Sequence, residues 1–267
     1  MADPTPVLDD LCAEGDELDR LVRESEPRAW ALVTPAPGWT VAHQIAHLAW
    51  TDRSALLAVT DADAFRGLAE KALAAPETFV DEGAEDGARE APDALLARWR
   101  KGRAALDEAL RAAPVGARFP WYGPPMSAAS MATGRLMETW AHGQDVADAL
   151  GVVRTPTNRL KHVVRIGVRA RDFAFAAHGL PAPAEEFRVE VVGPSGEVWA
   201  YGPEGAAQRV TGPALDFCLL VTQRAHRADL AVRAVGADAD RWLDVAQAFA
   251  GPPGAGREPG RGPGERS

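Results

Sequence analysis

Four times between Leu8 and Leu150 the chain sets out an apolar stripe at helical spacing and then closes it with proline or glycine. Leu8, Leu11, Leu18, Leu21 and Val22 form the first stripe, which ends near "SEPRAW". "TPAPGW" (34–39) punctuates, and Thr40 offers an N-cap to a second helix of about 20 residues. Pro92 and Asp93 open a third helix with Leu95, Leu96, Trp99, Leu106 and Leu110 facing inward. After the irregular "APVGARFPWYGPP" (113–125), a fourth runs from about Ser127 to Leu150 and stops at Gly151, a C-cap. "DEGAEDGAREAP" (81–92) reads as a solvated loop, and "RTPTN" separates a further helix that continues to about His178. A helical bundle over residues 5–180 is the expectation.

Past "HGLPAPAEE" the period falls from 3.6 to 2. "FRVEVVG" and "EVWAYG" flank "PSG", a hairpin signal. A helix at "GPALDFCLLVTQRA", a short strand at "DLAVRAVG" and a last helix at "DADRWLDVAQAFA" complete a small α+β domain over 185–250. The remaining 251–267, with 10 Gly or Pro among 17 residues, is expected to be a disordered tail.

Charge narrows the partners. Against 29 basic residues stand 38 acidic ones, a net −9, which argues against a general nucleic-acid surface. No stretch approaches the roughly 18 apolar residues of a membrane span. The acidic start "MADPTPVLDD" is unlike a signal peptide, so a cytoplasmic protein is expected. Cys12 and Cys218 form no CxxC motif and read as inert buried thiols. Small-molecule chemistry is the class left open.

The second helix carries "VAHQIAHLAW", with His43 and His47 four residues apart on one face. The resemblance to H-E-x-x-H fails at Gln44, since no glutamate is there to activate a metal-bound water. Val41, Ile45, Leu48 and Ala49 make an apolar stripe; His43, His47, Trp50 and Ser54 make another on roughly the opposite side. Asp52 falls within the apolar stripe and needs a partner such as an arginine. On the fourth helix, "GRLMETWAHGQD" sets Glu138 and His142 at i,i+4, with Asp145 three residues on. Two such helices offer a Glu and two His to a divalent metal with open positions; Asp145 would orient His142. His162, His178 and His226 have no second ligand at helical spacing and read as structural or surface residues.

"PGWTVAHQIAHLAW" followed by "RLMETWAHGQDVADALG" resembles the DinB/YfiT-like four-helix metalloproteins, and more closely the mycothiol-dependent maleylpyruvate isomerase group of actinobacteria. Three lysines against 26 arginines fit the GC-rich coding of such a source. The resemblance implies a mainly α fold, a DinB-like bundle followed by a small sterol-carrier-like α+β domain. It also implies a zinc ion on His47, Glu138 and His142, and leaves His43 as a pocket-lining residue or acid/base. An arginine of the C-terminal domain, Arg224 or Arg227, would face the site. This sequence departs from the isomerase pattern at His43 and in the tryptophans at 50, 121 and 140.

Three functions follow for testing. The first is an isomerase or S-transferase that uses mycothiol, a low-molecular-weight thiol, against a small electrophilic substrate. Trp50 and Trp140 would wall the pocket there, and Arg135 or Arg224 would hold a substrate carboxylate. The second is a metal-dependent hydrolase with Asp52 or Asp145 as base. The third is a non-enzymatic metal- or ligand-binding protein. A monomer or homodimer is expected, with no nucleic-acid partner.

Overall fold

The structure, a computed structural model, describes residues 3–75, 78–251 and 253–260. It is mainly α and divides into two units, Met1–Gly151 and Val152–Ser267. In the first, the helices are α1 (Thr5–Arg23), α2 (Val41–Thr60), α3 (Ala62–Ala74), α4 (Phe79–Ala88), α5 (Pro92–Arg111) and α6 (Ala128–Leu150). The long ones, α1, α2, α5 and α6, are the four predicted stripes. Leu18, Val22, Ile45, Leu48, Leu95, Trp99 and Val146 from all four share one core. Helix α2 lies at the centre, against α4, α5 and α6, which explains why it has so few residues suited to water.

Local chemistry sets the ends of α2 and α6. The Ser127 hydroxyl accepts from the Ser130 N–H and starts α6, while Gly151, at φ 67°, ends it in the left-handed region. At α2, the Thr40 N–H donates to His43 Nδ1, closing the first turn with a histidine in the place usually taken by glutamate.

The stretch 81–92, expected as a loop, holds most of α4. Its glycines and aspartates are poor helix formers, and packing on α2 overrides them. A Cβ at Gly83 would lie 2.8 Å from the Trp50 ring, and one at Gly87 would lie 2.8 Å from the Ala46 Cβ. The two glycines, one turn apart, therefore admit α4 to close contact with α2. Asp81 and Glu82 in its first turn suit the positive end of the helix dipole.

Between α1 and α5, buried Asp19 accepts from Arg100 Nε at 2.5 Å and Nη2 at 2.8 Å. These bonds hold its carboxyl below the ordinary 3.8, against the opposing cost of burial. A depressed carboxylate contributes stability that is present above its unfolded pKa and lost as pH falls through the folded one. Asp19→Asn is thus expected to flatten the acid limb of a urea-midpoint-versus-pH curve below about pH 4. An unaltered acid limb would refute this.

The second unit contains α7 (Leu160–Arg169), α8 (Arg171–Ala177), β1 (Phe187–Val192), β2 (Val198–Tyr201), β3 (Gln208–Pro213), α9 (Ala214–Val221), β4 (Arg233–Val235) and α10 (Ala237–Val245). The sheet runs β2-β1-β3-β4; β1 pairs β2 antiparallel and β3 parallel, and β4 pairs β3 antiparallel. The predicted hairpin is β1–β2, turned by Gly196 at φ 86°. Phe187, Val189, Val191, Val210, Phe217 and Trp242 build its core, with the Trp242 ring edge-on to both phenylalanines. Strand β3 was not foreseen, because "AAQRVTGP" shows neither clean alternation nor an apolar run. The segment read as one helix to His178 is two, α7 and α8, which pack on α9 and α10 respectively. The unit boundary accordingly falls at Gly151 and not near 180. A helical period shows which face is apolar, not what covers it.

Of the expected disordered tail, 252 and 261–267 lie outside the described residues. Residues 253–260 contain no helix or strand, yet the Gly260 N–H donates to the Asp229 carboxylate at 3.0 Å, so this part is tied down. Both cysteines are free, and burial pushes each thiol up, that of Cys218 strongly. Among the described residues, no helix is long and apolar enough to cross a membrane.

Candidate metal centre

Packing of α2 on α6 brings together side chains 91 positions apart in sequence. One ligand atom each from His47, Glu138 and His142 can be chosen so that all lie within 4.8 Å of one another. The Nε2 atoms of His47 and His142 both stand 3.2 Å from Glu138 Oε2, and the two imidazole centroids are 4.4 Å apart. Ligands bound at about 2.0–2.1 Å on a tetrahedral zinc are separated by about 3.3–3.4 Å. Three such donors leave a tetrahedral ion one free position. Burial by itself would raise the pKa of Glu138, but hydrogen bonds from His142 and His47 outweigh it and hold the carboxyl well below its usual range. Glu138 is therefore held as a carboxylate between the two imidazoles.

The tautomer of His142 follows from its neighbours. The Thr34 hydroxyl donates to the Trp39 carbonyl at 2.9 Å and so receives the Gln44 carboxamide N–H, also at 2.9 Å. That leaves Gln44 Oε1, an acceptor only, 2.5 Å from His142 Nδ1. The Nδ1 proton therefore points at Gln44 in either charge state, while Nε2 shares a proton with Glu138 and would present its lone pair once a cation displaced that proton. A carbonyl oxygen on the remote nitrogen is the usual outer partner of a metal-binding histidine. The position that breaks the protease-like motif thus aims a ligand. His47 Nδ1, by contrast, is buried with no hydrogen-bond partner. The donor set fits a divalent metal such as zinc. Gln44→Ala is expected to weaken metal binding about 10- to 100-fold without unfolding the bundle, measured by competition with a chromophoric chelator. Unchanged affinity would refute the orienting role.

The other expected site residues sort differently. His43 turns away from the cluster: Nδ1 lies 2.8 Å from the Thr40 hydroxyl and Nε2 lies 2.8 Å from Glu85 Oε2 on α4. It caps α2 and ties α4, with its ring 6.4 Å from that of Trp39. Asp52 does have its arginine: Arg135 Nε donates to Oδ1 at 2.9 Å, and Trp99 Nε1 donates to Oδ2 at 3.2 Å. Both charges are buried and committed to each other, so Asp52 is not a free base and Arg135 is not a free carboxylate clamp. Trp140 is buried two residues beyond Glu138, on the far side of α6 from the ligands, not on the pocket wall. His142 Nδ1 is bonded by Gln44, and Asp145 is fully buried one turn further along α6. Arg224 follows α9 in the second unit, its Nη1 donating to the Thr222 carbonyl at 2.7 Å. Arg227 pairs with Asp240 and Asp244 of α10.

Trp50 does line the centre, its ring 6.0 Å from His47. So does Trp39, which sequence reasoning missed. Trp39 stacks on His142 at 5.9 Å, lies 5.3 Å from His47, and donates its indole N–H to Asp81. Its signal was positional: it directly precedes the N-cap of the histidine helix, where an apolar residue folds back over the first turn.

A family model described as "Mycothiol maleylpyruvate isomerase N-terminal domain" matches residues 11–147, the span carrying all three ligand side chains. Another, described as "Wyosine base formation", matches 183–234. Two relatives described as uncharacterized proteins of Mycobacterium tuberculosis, from strains H37Rv and CDC 1551, are each 59% identical over 257 residues. The alignment covers 96% of this chain and 100% of theirs. Crystal structures of the mycothiol-dependent maleylpyruvate isomerase and of a point mutant of it align at TM-score 0.59 and 18% identity. They cover 87% of this chain and 93% of that one, a likeness of fold.

Proposed function

Because the chain belongs to the mycothiol maleylpyruvate isomerase N-terminal domain family, we propose that it is a divalent-metal protein, with zinc as the ion, that uses mycothiol as thiol cosubstrate in an isomerase or S-transferase reaction on a small electrophile. The observation that carries this reading is the convergence of two imidazole nitrogens and an ionised carboxylate, with the His142 tautomer fixed from outside. His47, Glu138 and His142 would hold the ion. When bound, it supplies a positive charge that lowers the pKa of a thiol and keeps it nucleophilic near neutral pH. Trp39 and Trp50 cover the ligands and limit water around the reacting sulfur. The sulfur then adds to an electrophilic carbon, either a conjugated double bond that isomerises before the thiol departs, or a carbon bearing a leaving group.

The hydrolase alternative needs a carboxylate base beside the metal; of its two candidates, Asp52 is engaged by Arg135 and Trp99, and Asp145 is fully buried. A cytoplasmic monomer or homodimer is part of the same reading. The test is to load purified protein with zinc, add mycothiol and follow both melting temperature and thiol consumption with an electrophile. A raised melting temperature with zinc-dependent thiol loss is expected. No metal retained after dialysis, or no response to mycothiol, would overturn the reading.

A further inference from the structure

Aromatic rings run in unbroken contact from the ligand cluster to the loop between α5 and α6. Trp39 and Trp50 flank His47. Phe79 of α4 meets Trp50 edge-on at 5.0 Å, and Tyr122 lies 6.1 Å beyond it. Phe65 of α3 sits 5.2 Å from Tyr122, and Trp121 stacks on Phe65 at 5.5 Å. Packing alone would bury such rings, yet only Phe65 is buried. Trp39, Trp50, Phe79 and Trp121 are half-buried, and Tyr122 is 37% exposed. An accessible aromatic strip beginning at a metal ligand marks a binding wall more than a core.

The wall is held in position. Gly83 leaves room for the Trp50 ring, as a side chain there would collide with it. The Tyr122 phenol lies beside Ser54, whose hydroxyl donates to the Trp50 carbonyl at 3.0 Å. Its loop is closed by paired backbone bonds between Phe119 and Met126 at 2.8 and 2.9 Å. Charges beside the strip have partners: Asp81 takes the Trp39 indole, Glu85 takes His43, and the Arg135 Nε is bonded to Asp52, with its Nη2 buried. The six rings of the strip themselves offer a ligand flat apolar faces and no charged group.

We propose that this strip sets the substrate specificity of the metal centre, and that the substrate's electrophilic carbon is attached to a planar aromatic or extended conjugated apolar body, not to a short dicarboxylate. The identification of that body as a thiol acceptor rests on the function proposed above; the binding strip itself does not.

Calorimetric titration of the zinc-loaded full chain, without thiol, tests the strip directly. The probes are 4-nitrobenzyl alcohol, which is aromatic and unreactive, and succinate, a short dicarboxylate. Wild type is expected to bind the aromatic probe and to prefer it to succinate. Loss of one aromatic contact is expected to weaken that binding by about 3- to 10-fold in each of Phe79→Ala and Tyr122→Ala. Tyr122 is exposed, so its variant should fold even if that at Phe79 does not. Tighter binding of succinate, no binding of the aromatic probe, or wild-type affinity in the folded variants would overturn the proposal. A second measurement separates the two readings: mycothiol consumption with 1-chloro-2,4-dinitrobenzene against that with maleate. Aromatic binding without any thiol consumption would sink the thiol function and leave the strip standing. Faster consumption with maleate would sink the strip and leave the thiol function.

Discussion

Glu138→Gln is expected to strip the protein of its metal, lowering affinity by about 100-fold or more while the fold persists. The substitution keeps the shape of the side chain and removes the charge on which both imidazoles converge. His47→Ala should do the same. His43→Ala is the informative control, although it lies on the same helical face one turn away. Its ring caps α2 and bonds Glu85, so metal should be retained and only the cap lost, a cost of about 1 kcal/mol. Metal analysis after dialysis, with chelator competition, distinguishes these variants. Stoichiometric metal in Glu138→Gln, or its loss in His43→Ala, would show that the ligands have been misassigned.

A second large effect is expected where no ligand is touched. Asp52→Ala leaves the Arg135 guanidinium buried without its counter-charge and takes the acceptor from Trp99. Breaking a buried ion pair from one side costs about 3–5 kcal/mol, which in a protein of this size lowers the melting temperature by roughly 6–20 °C. Replacing both partners with apolar residues of similar volume, Asp52→Leu with Arg135→Met, should recover much of that loss, since most of the penalty is the stranded charge. Calorimetry on the two single variants and the double supplies the cycle. A double variant as unstable as the summed singles would show that the pair does more than neutralise itself.

What the sequence discloses and what it hides divide along a physical line. Three of the four long helices are legible because each buries one stripe at period 3.6 and begins or ends on a proline, glycine or serine whose preference is local, and α2 because Thr40 opens it. His47, Glu138 and His142 share that legibility, two of them through helical spacing. The pairing of His47 rather than His43 with the second helix came through resemblance, because spacing alone treats the two alike. Helix α4 was hidden because Gly83 and Gly87 act by what they lack, and a missing Cβ has meaning only beside the Trp50 ring and Ala46. The sequence shows only that Gln44 breaks a protease motif and not what it does, because its partners, Thr34 and His142, lie 10 and 98 positions away. Asp52 was the opposite case: a carboxylate on an apolar stripe states its need for a counter-ion without naming it. The boundary at Gly151 was beyond reach, since amphipathic α7 and α8 would suit either neighbour.

The spacing of the ligands along the chain has a mechanical consequence. His47 and Glu138 enclose a loop spanning most of the first unit, including α3, α4 and α5. An ion held by both is a removable cross-link, and cross-links of that reach restrict the unfolded chain by about 4–5 kcal/mol in the chain-entropy view. Holo protein should then resist proteolysis between α2 and α6 far longer than apo protein, with metal supply setting the lifetime of the chain as well as its chemistry.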